Sequence, residues 1–307
     1  MNDMTEMNFD GAVAIITGAG GGLGFEFAKQ LAERDARILI NDLGQDPLGQ
    51  GNEHASCSAE RAAARIRAFG GDAIWNTASV ADELGVAGIV EQALDTWGQI
   101  NLLVNNAGIT GSDAFPDGGI HSIRSVMDVN FFAAVHLSKA VWSHMKSANY
   151  GRIVNVCSNS IYGVFSQIAY NSSKAALYTA TRQMANAVGD SDIKVNAILP
   201  SAFSRLTEML PDSPLRQKLE RDCQPHTIAP LVAYLMHKDC VHNGRAFAIA
   251  GNRIALSTFA ETASRDIGNT PESIRENIGT LMPDNPDAVR IMHSTTDSLL
   301  NLGLPPE

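Results

Sequence analysis

Short runs of apolar residues, rich in β-branched side chains, alternate along this chain with longer stretches whose apolar positions recur every three or four residues. The runs AVAIIT (12–17), ARILIN (36–41), DAIWN (72–76), INLLVNN (100–106), RIVNVC (152–157) and IKVNAIL (193–199) read as buried strands by their length and composition. RAFAIAG (245–251) reads as the last strand. Between them, residues 22–34, 58–70, 82–97, 121–147 and 167–188 carry helical spacing; in the first of these, Leu23, Phe27 and Leu31 stand four apart. Strands that are apolar throughout and alternate with helices predict an α/β fold, a doubly wound parallel sheet covered on both faces.

Two regions break the alternation. LGQDPLGQGNEHASC (43–57) is a polar, glycine-rich loop after the second strand. Residues 252–307 run beyond the last strand and hold two helical stretches, PESIREN (271–277) and DAVRIMHSTTDSLLNL (287–302). The expected organisation is one domain over 8–251 and an extension over 252–307. An arm on a neighbouring subunit, a cap over the site and a plain surface extension all remain open for it.

Composition narrows the function. The chain has 307 residues, 45% of them hydrophobic and 18% charged, which suits a folded domain with a sizeable core. The formal net charge is −10, with no basic cluster to hold a nucleic acid. Cys57, Cys157, Cys223 and Cys240 show no paired spacing, so neither a disulfide framework nor a zinc site is expected. Reduced thiols suggest a cytoplasmic location. The N-terminal MNDMTEMNFDG lacks a basic, apolar leader, GLPPE matches no simple targeting signal, and no apolar run approaches the ~20 residues of a membrane span.

The candidate chemistry sits at three places. TGAGGGLG (17–24) joins the first strand to the first helix, with Gly18, Gly22 and Gly24 in a G-x-x-x-G-x-G pattern. Glycines there turn the chain tightly and let a pyrophosphate approach the free N–H groups of the helix start; the competing reading is a tight turn alone. Asp42 ends the second strand, 18 residues after Gly24, close to the ~20 expected of an acid that holds the ribose hydroxyls of NAD. A carboxylate there repels the extra phosphate of NADP, and neither Lys nor Arg stands in the glycine turn; the plainer reading is a turn residue. Tyr170 and Lys174 are four apart, on one face of a helix. An ammonium beside a phenol is expected to lower the phenol pKa toward neutrality and make it a general acid/base for an alcohol–ketone pair.

With NNAG (105–108), Asn130, a serine within 158–160 and YNSSK (170–174), these features resemble the short-chain dehydrogenase/reductase family over roughly residues 8–251. The resemblance implies a Rossmann-like domain, NAD as cofactor and Ser158, Tyr170, Lys174 and Asn130 as catalytic residues. It implies cofactor contacts from Gly18, Gly22, Leu23, Gly24, Asp42, Asn106, Ala107, Gly108, Tyr170, Lys174 and Pro200. Ala78 stands where the family often has an adenine-side Asp, which leaves Ser79 and Val80 as adenine contacts. NDLG, YGRIV, IYGVFSQIAY, APLVAYLMHKDC and PESIREN further resemble the (3R)-hydroxyacyl-CoA dehydrogenase modules of type 2 peroxisomal multifunctional enzymes and their hydroxysteroid dehydrogenase relatives.

Departures from the family pattern matter as well. The catalytic Ser usually lies about 13 residues before the Tyr in this constellation; here that position is Cys157, and a one-residue deletion after Ser160 makes Ser158 the catalytic candidate, with Ser160 the alternative. Ser160, Tyr162 and Arg205 are candidate substrate contacts, Arg205 within a substrate loop at about 201–222. Pro200-Ser201 replaces the family's Pro-Gly. The expected activity is NAD-dependent interconversion of a secondary alcohol and a ketone, on a 3-hydroxyacyl thioester or a hydroxysteroid-like alcohol. An NAD-binding sensor and an NADPH-linked ketone reductase are the alternatives. The family resemblance also implies a dimer or tetramer built through helices 121–147 and 167–188.

Overall fold

The structure is a computed structural model that describes residues 6–50, 58–111, 116, 118–163, 167–282, 289–292, 297 and 301–302. Compact packing divides it into two units, Met1–Ala255 and Leu256–Glu307.

The first unit follows the strand–helix alternation. Its strands are β1 (Val13–Thr17), β2 (Arg37–Asn41), β3 (Ala73–Asn76), β4 (Leu102–Asn105), β5 (Gly151–Val156), β6 (Ile193–Pro200), β7 (Ala246–Ala250) and β8 (Arg253–Ser257). They form one sheet in the order β3-β2-β1-β4-β5-β6-β7-β8, and every pair from β3 to β7 is parallel. Parallel strands need helical crossovers. Here these are α1 (Gly22–Ala32), α2 (Ser58–Ala68), α3 (Glu83–Trp97), α4 (Ile120–Met127), α5 (Ala133–Ser147) and α6 (Ile168–Asn186).

The central strands bury both faces, and the side-chain period of two sorts their residues between two cores. Ala14, Ile16, Ile38, Ile40, Leu102 and Val104 point to one core, with Phe27 and Leu31 of α1 and Ile66 of α2. Val13, Ile15, Leu39 and Leu103 point to the other, with Ile89 of α3 and Leu137 and Val141 of α5. Alternation therefore survives inside strands that look uniformly apolar.

Several expectations are corrected. Residues 121–147 are not one helix: a π-helical turn, Asp128–Phe132, separates α4 from α5. The expected loop after β6 contains α7 (Arg205–Glu208) and α8 (Pro214–Asp222), and α9 (Pro225–Met236) follows it. The sheet does not end at residue 251. Gly251, at φ +54°, turns the chain into β8, whose exposed Ile254 and Leu256 read from sequence as tail.

In the second unit, β9 (Phe259–Thr262) pairs antiparallel with β10 (Val289–Met292), Val289 opposite Thr262 and Met292 opposite Phe259. This overturns the helical reading of 287–302 over its first part, where Val289 and Ile291 alternate and a partner strand exists. Residues 287–288, 293–296 and 298–300 of the second tail stretch lie outside the described residues. The expected helix at PESIREN is α10 (Pro271–Asn277), opened by reciprocal hydrogen bonds between Thr270 and Ser273. Among the described residues, no helix is long and apolar enough to cross a membrane.

Candidate active site

The strand order reverses between β1 and β4, and parallel sheets place their ligand crevice at the carboxyl ends of the strands at such a point. A cleft of about 740 Å³ opens there. All of its lining residues fall between Gly18 and Leu219, within the first unit.

One end of the cleft is the β1–α1 turn. Gly18 and Gly22 are left-handed, at φ +62° and +55°. A Cβ on Gly24 would lie 2.5 Å from the Gly18 carbonyl oxygen and 2.6 Å from Asn106 Nδ2, so this glycine serves close packing. A Cβ on Gly21 or Gly22 would meet nothing within 4 Å. The turn thus presents bare backbone, at the start of α1, to an open cleft. Asp42 closes this end. Its Oδ2 accepts from Gly20 N at 2.8 Å and its Oδ1 from Gly44 N at 2.7 Å. Leu23, Ser79 and Val80 also line this end of the cleft.

Thr17 organises the middle of the site. Its Oγ1 accepts from the backbone N–H of Asn106 at 3.1 Å and of Ala107 at 3.0 Å. Asn106 Nδ2 donates back to the Thr17 and Gly18 carbonyls at 2.9 and 3.0 Å. Asn105 donates to Asn155 Oδ1 at 2.8 Å, which ties β4 to β5. Sequence reasoning missed Thr17; the available signal was a hydroxyl ending an otherwise apolar, fully buried strand.

The other end carries the acid–base candidates. Tyr170 and Ser158 both line this end, where Ser158 draws the phenol pKa down. Lys174 is buried, 5.7 Å from the Tyr170 ring centre, and its Nζ donates to the Val156 carbonyl at 2.8 Å. Gly108 lies against both Lys174 and Asn130: a Cβ there would stand 3.4 Å from the Lys174 Nζ and 3.3 Å from Asn130 Oδ1. Asn130 lies one layer behind the cleft. It clamps Ile109 on both sides, accepting from its N–H at 2.8 Å and donating to its carbonyl at 2.9 Å, and it donates to Ser173 Oγ at 3.0 Å.

Electrostatics here differ from the expectation. Burial pushes the Tyr170 phenol up, the Ser158 hydrogen bond draws it partly down, and Cys157 raises it again. In the free protein the Tyr170 phenol thus stands above its ordinary value, not below it. The Lys174 pKa is lowered to about 8, by burial and against the influence of Cys157. Cys157 is buried at the end of β5 and its thiol is pushed up to about 12, chiefly by burial. It is a neutral apolar filler at neutral pH.

The remaining candidates separate. Gly108, Pro200, Ser160 and Arg205 line the cleft. Arg205 Nη1 donates to the Gln45 carbonyl at 3.3 Å, so in the free protein it spans to the loop after β2. The buried Ser160 Oγ has no hydrogen-bond partner among the described residues. Tyr162 departs from the reading as pocket wall: it is 69% exposed and outside the cleft lining, because the 3-10 turn Asn159–Tyr162 points it outward. Leu206, Met209, Leu210, Leu215 and Leu219 give the cleft an apolar wall. Among the described residues, no group of three or more His, Cys, Asp or Glu side chains is placed to hold a metal ion.

The sequence profile of the short chain dehydrogenases matches residues 12–218. The chain belongs to the short-chain dehydrogenase family. It is 37% identical over 277 residues to the peroxisomal multifunctional enzyme type 2 of Mus musculus, covering 88% of this chain and 36% of that protein. It is 36% identical over 286 residues to the peroxisomal multifunctional enzyme A of Dictyostelium discoideum, covering 91% of this chain and 62% of that protein. The chain thus spans only part of these relatives. Among solved structures, a 7α-hydroxysteroid dehydrogenase in complex with NADH and 7-oxo glycochenodeoxycholic acid superimposes with a TM-score of 0.71 at 28% identity, covering 80% of this chain and 95% of that one.

Short-chain dehydrogenases are oxidoreductases that act on hydroxyl groups with a nicotinamide cofactor. The residues present fit such a group. The uncovered glycine backbone at Gly21 and Gly22 leaves room for a pyrophosphate, and Asp42 stands beside that turn in the same cleft.

Proposed function

We propose that this protein interconverts a secondary alcohol and its ketone with NAD, using Tyr170 as the acid/base. The observation that carries the reading is the convergence of Ser158, Tyr170 and buried Lys174 on one cleft, with Lys174 Nζ 5.7 Å from the Tyr170 ring centre. When bound, the nicotinamide supplies the hydride chemistry at the carbinol carbon. Tyr170 takes the hydroxyl proton during oxidation and returns it during reduction. Ser158 hydrogen-bonds the substrate oxygen. Lys174 supports the phenolate electrostatically. Gly108 leaves space for the lysine head, and Asn130 holds Ile109 just beyond it.

NAD is favoured over NADP by Asp42. A carboxylate has about four acceptor sites, so two backbone donors leave capacity for ribose hydroxyls, while its charge opposes a 2′-phosphate. For substrate, a 3-hydroxyacyl thioester or a hydroxysteroid-like alcohol suits the apolar wall from Leu206 to Leu219 and agrees with the named relatives. We also infer a dimer or tetramer, since Ile120, Phe132 and Ile168 leave apolar surface on α4, the π-turn and α6. The cytoplasmic reading rests on free, buried thiols at Cys157, Cys223 and Cys240, which suit a peroxisome equally.

Tyr170→Phe tests the assignment. Turnover on a panel of hydroxyacyl-CoA and hydroxysteroid substrates should fall roughly 10²–10⁴-fold while NADH binding, read by fluorescence, is retained. Wild-type turnover in this variant overturns the reading. NAD should also bind more tightly than NADP, and Asp42→Ala should narrow that gap.

A further inference from the structure

The segment that presents Ser158 is held from outside its own strand. Ser158 begins just past β5, where Cys157 N donates to the Ile198 carbonyl of β6 at 2.8 Å. It then caps the 3-10 turn, its Oγ accepting from Ser160 N at 3.1 Å. The side chain of the next residue reaches out of the turn: Asn159 Nδ2 donates to Ser201 Oγ at 2.8 Å. Ser201 is itself anchored, its N–H donating to the Ile249 carbonyl of β7 at 2.8 Å. A continuous hydrogen-bonded path therefore runs from β7 through Ser201 and Asn159 to the turn that aims Ser158 at Tyr170. Both bridging residues line the cleft and neither is fully buried.

We propose that the Asn159–Ser201 bridge is a positioning device that sets Ser158 against Tyr170. The two sequence departures near the site thereby belong together: the turn is one residue short of the usual Ser–Tyr spacing, and a serine follows Pro200 where glycine is usual. A glycine at 201 offers no side-chain acceptor, so Asn159 would have nothing to hold. The bridge also joins the turn that carries Ser158 to the strand end that carries Pro200. The inference rests on the acid/base role proposed for Tyr170.

The test reads the phenol directly. In cofactor-free protein, Tyr170 ionisation is obtained from phenolate absorbance, as the difference between each protein and its Tyr170→Phe counterpart. Asn159→Ala and Ser201→Ala should each weaken the Ser158 hydrogen bond and move phenolate formation to higher pH. They should also lower kcat roughly tenfold to a hundredfold with NADH affinity unchanged. The double variant should be no worse than the more affected single one, and Ser201→Thr, which keeps the hydroxyl, should restore both readouts. Ser201→Gly, which removes only a partly exposed Cβ and hydroxyl, carries the same test if Asn159→Ala does not fold. A phenolate curve unmoved in the Asn159 and Ser201 variants overturns the proposal. That titration needs no substrate, so it stands apart from the failure of the dehydrogenase reading, which would appear as wild-type protein inactive across the panel.

Discussion

Residues in this site divide by whether their neighbours can yield. A Cβ on Gly24 would press on the Gly18 carbonyl and the Asn106 amide, both fixed by the Thr17 network. Gly24→Ala should therefore cost about 1–3 kcal/mol in a urea melt and weaken NADH binding as well. Gly21 has an extended backbone and open space before it, so Gly21→Ala should melt like wild type yet bind NADH less tightly, its methyl standing in the cleft. Equal melts for the two variants would remove the distinction. Lys174 gives a second residue-scale prediction. Its folded pKa of about 8 lies below its ordinary 10.5, so between those values the unfolded chain holds more protons and stability rises with pH. Cys157, raised from 9 to about 12, acts oppositely above pH 9. Free protein should thus gain stability from pH 8 to 9, and Lys174→Met should be flat over that interval. The glycine turn, Asp42 and the Tyr170–Lys174 pair of the cleft were legible in sequence because each carries a chemical signature. Thr17, Asn159 and Ser201 were not, since their roles depend on partners 42 to 90 residues away, which spacing along the chain cannot reveal.

At the scale of elements, the strands of the parallel sheet were readable because burial on both faces makes them short and apolar. Breaks inside a helix are harder. MDVNFF continues a helical pattern, yet Asn130 needs both its amide atoms on the Ile109 backbone, and the chain makes a π-turn where it does so. Such turns mark positions where a side chain is re-aimed toward a site. Asn130→Ala would leave the Ile109 N–H and carbonyl without these partners, and unsatisfied buried groups cost about 1–3 kcal/mol each. The variant should lose stability on that order by urea melt, and Asn130→Asp should recover part of it at most, because a carboxylate replaces the acceptor but not the donor. The strand at Val289–Met292 failed as a sequence reading for another reason. A four-residue element is too short to outvote the helical spacing around it, and its pairing with Phe259–Thr262 is non-local.

For the whole molecule, the division at Ala255 and Leu256 bears on what the extension does. All of the residues lining the cleft lie between Gly18 and Leu219, and β8 ends at Ser257. A chain ending after Ser257 keeps every strand of the large sheet and every lining residue, so NADH affinity by fluorescence titration should match the full-length protein. Turnover then separates the three readings of the extension. If it is a plain surface extension, kcat/KM on the substrate panel stays unchanged. If it caps the site, KM rises with kcat and NADH affinity held. If it is an oligomer arm, the shortened chain sediments as a smaller species, and the exposed apolar residues Ile120, Phe132 and Ile168 alone must then support whatever association remains. We expect assembly to persist through those helices, because their surface belongs to the first unit and is untouched by the truncation. Loss of NADH binding in the shortened chain would instead show that the cleft depends on residues beyond 257, against its observed lining.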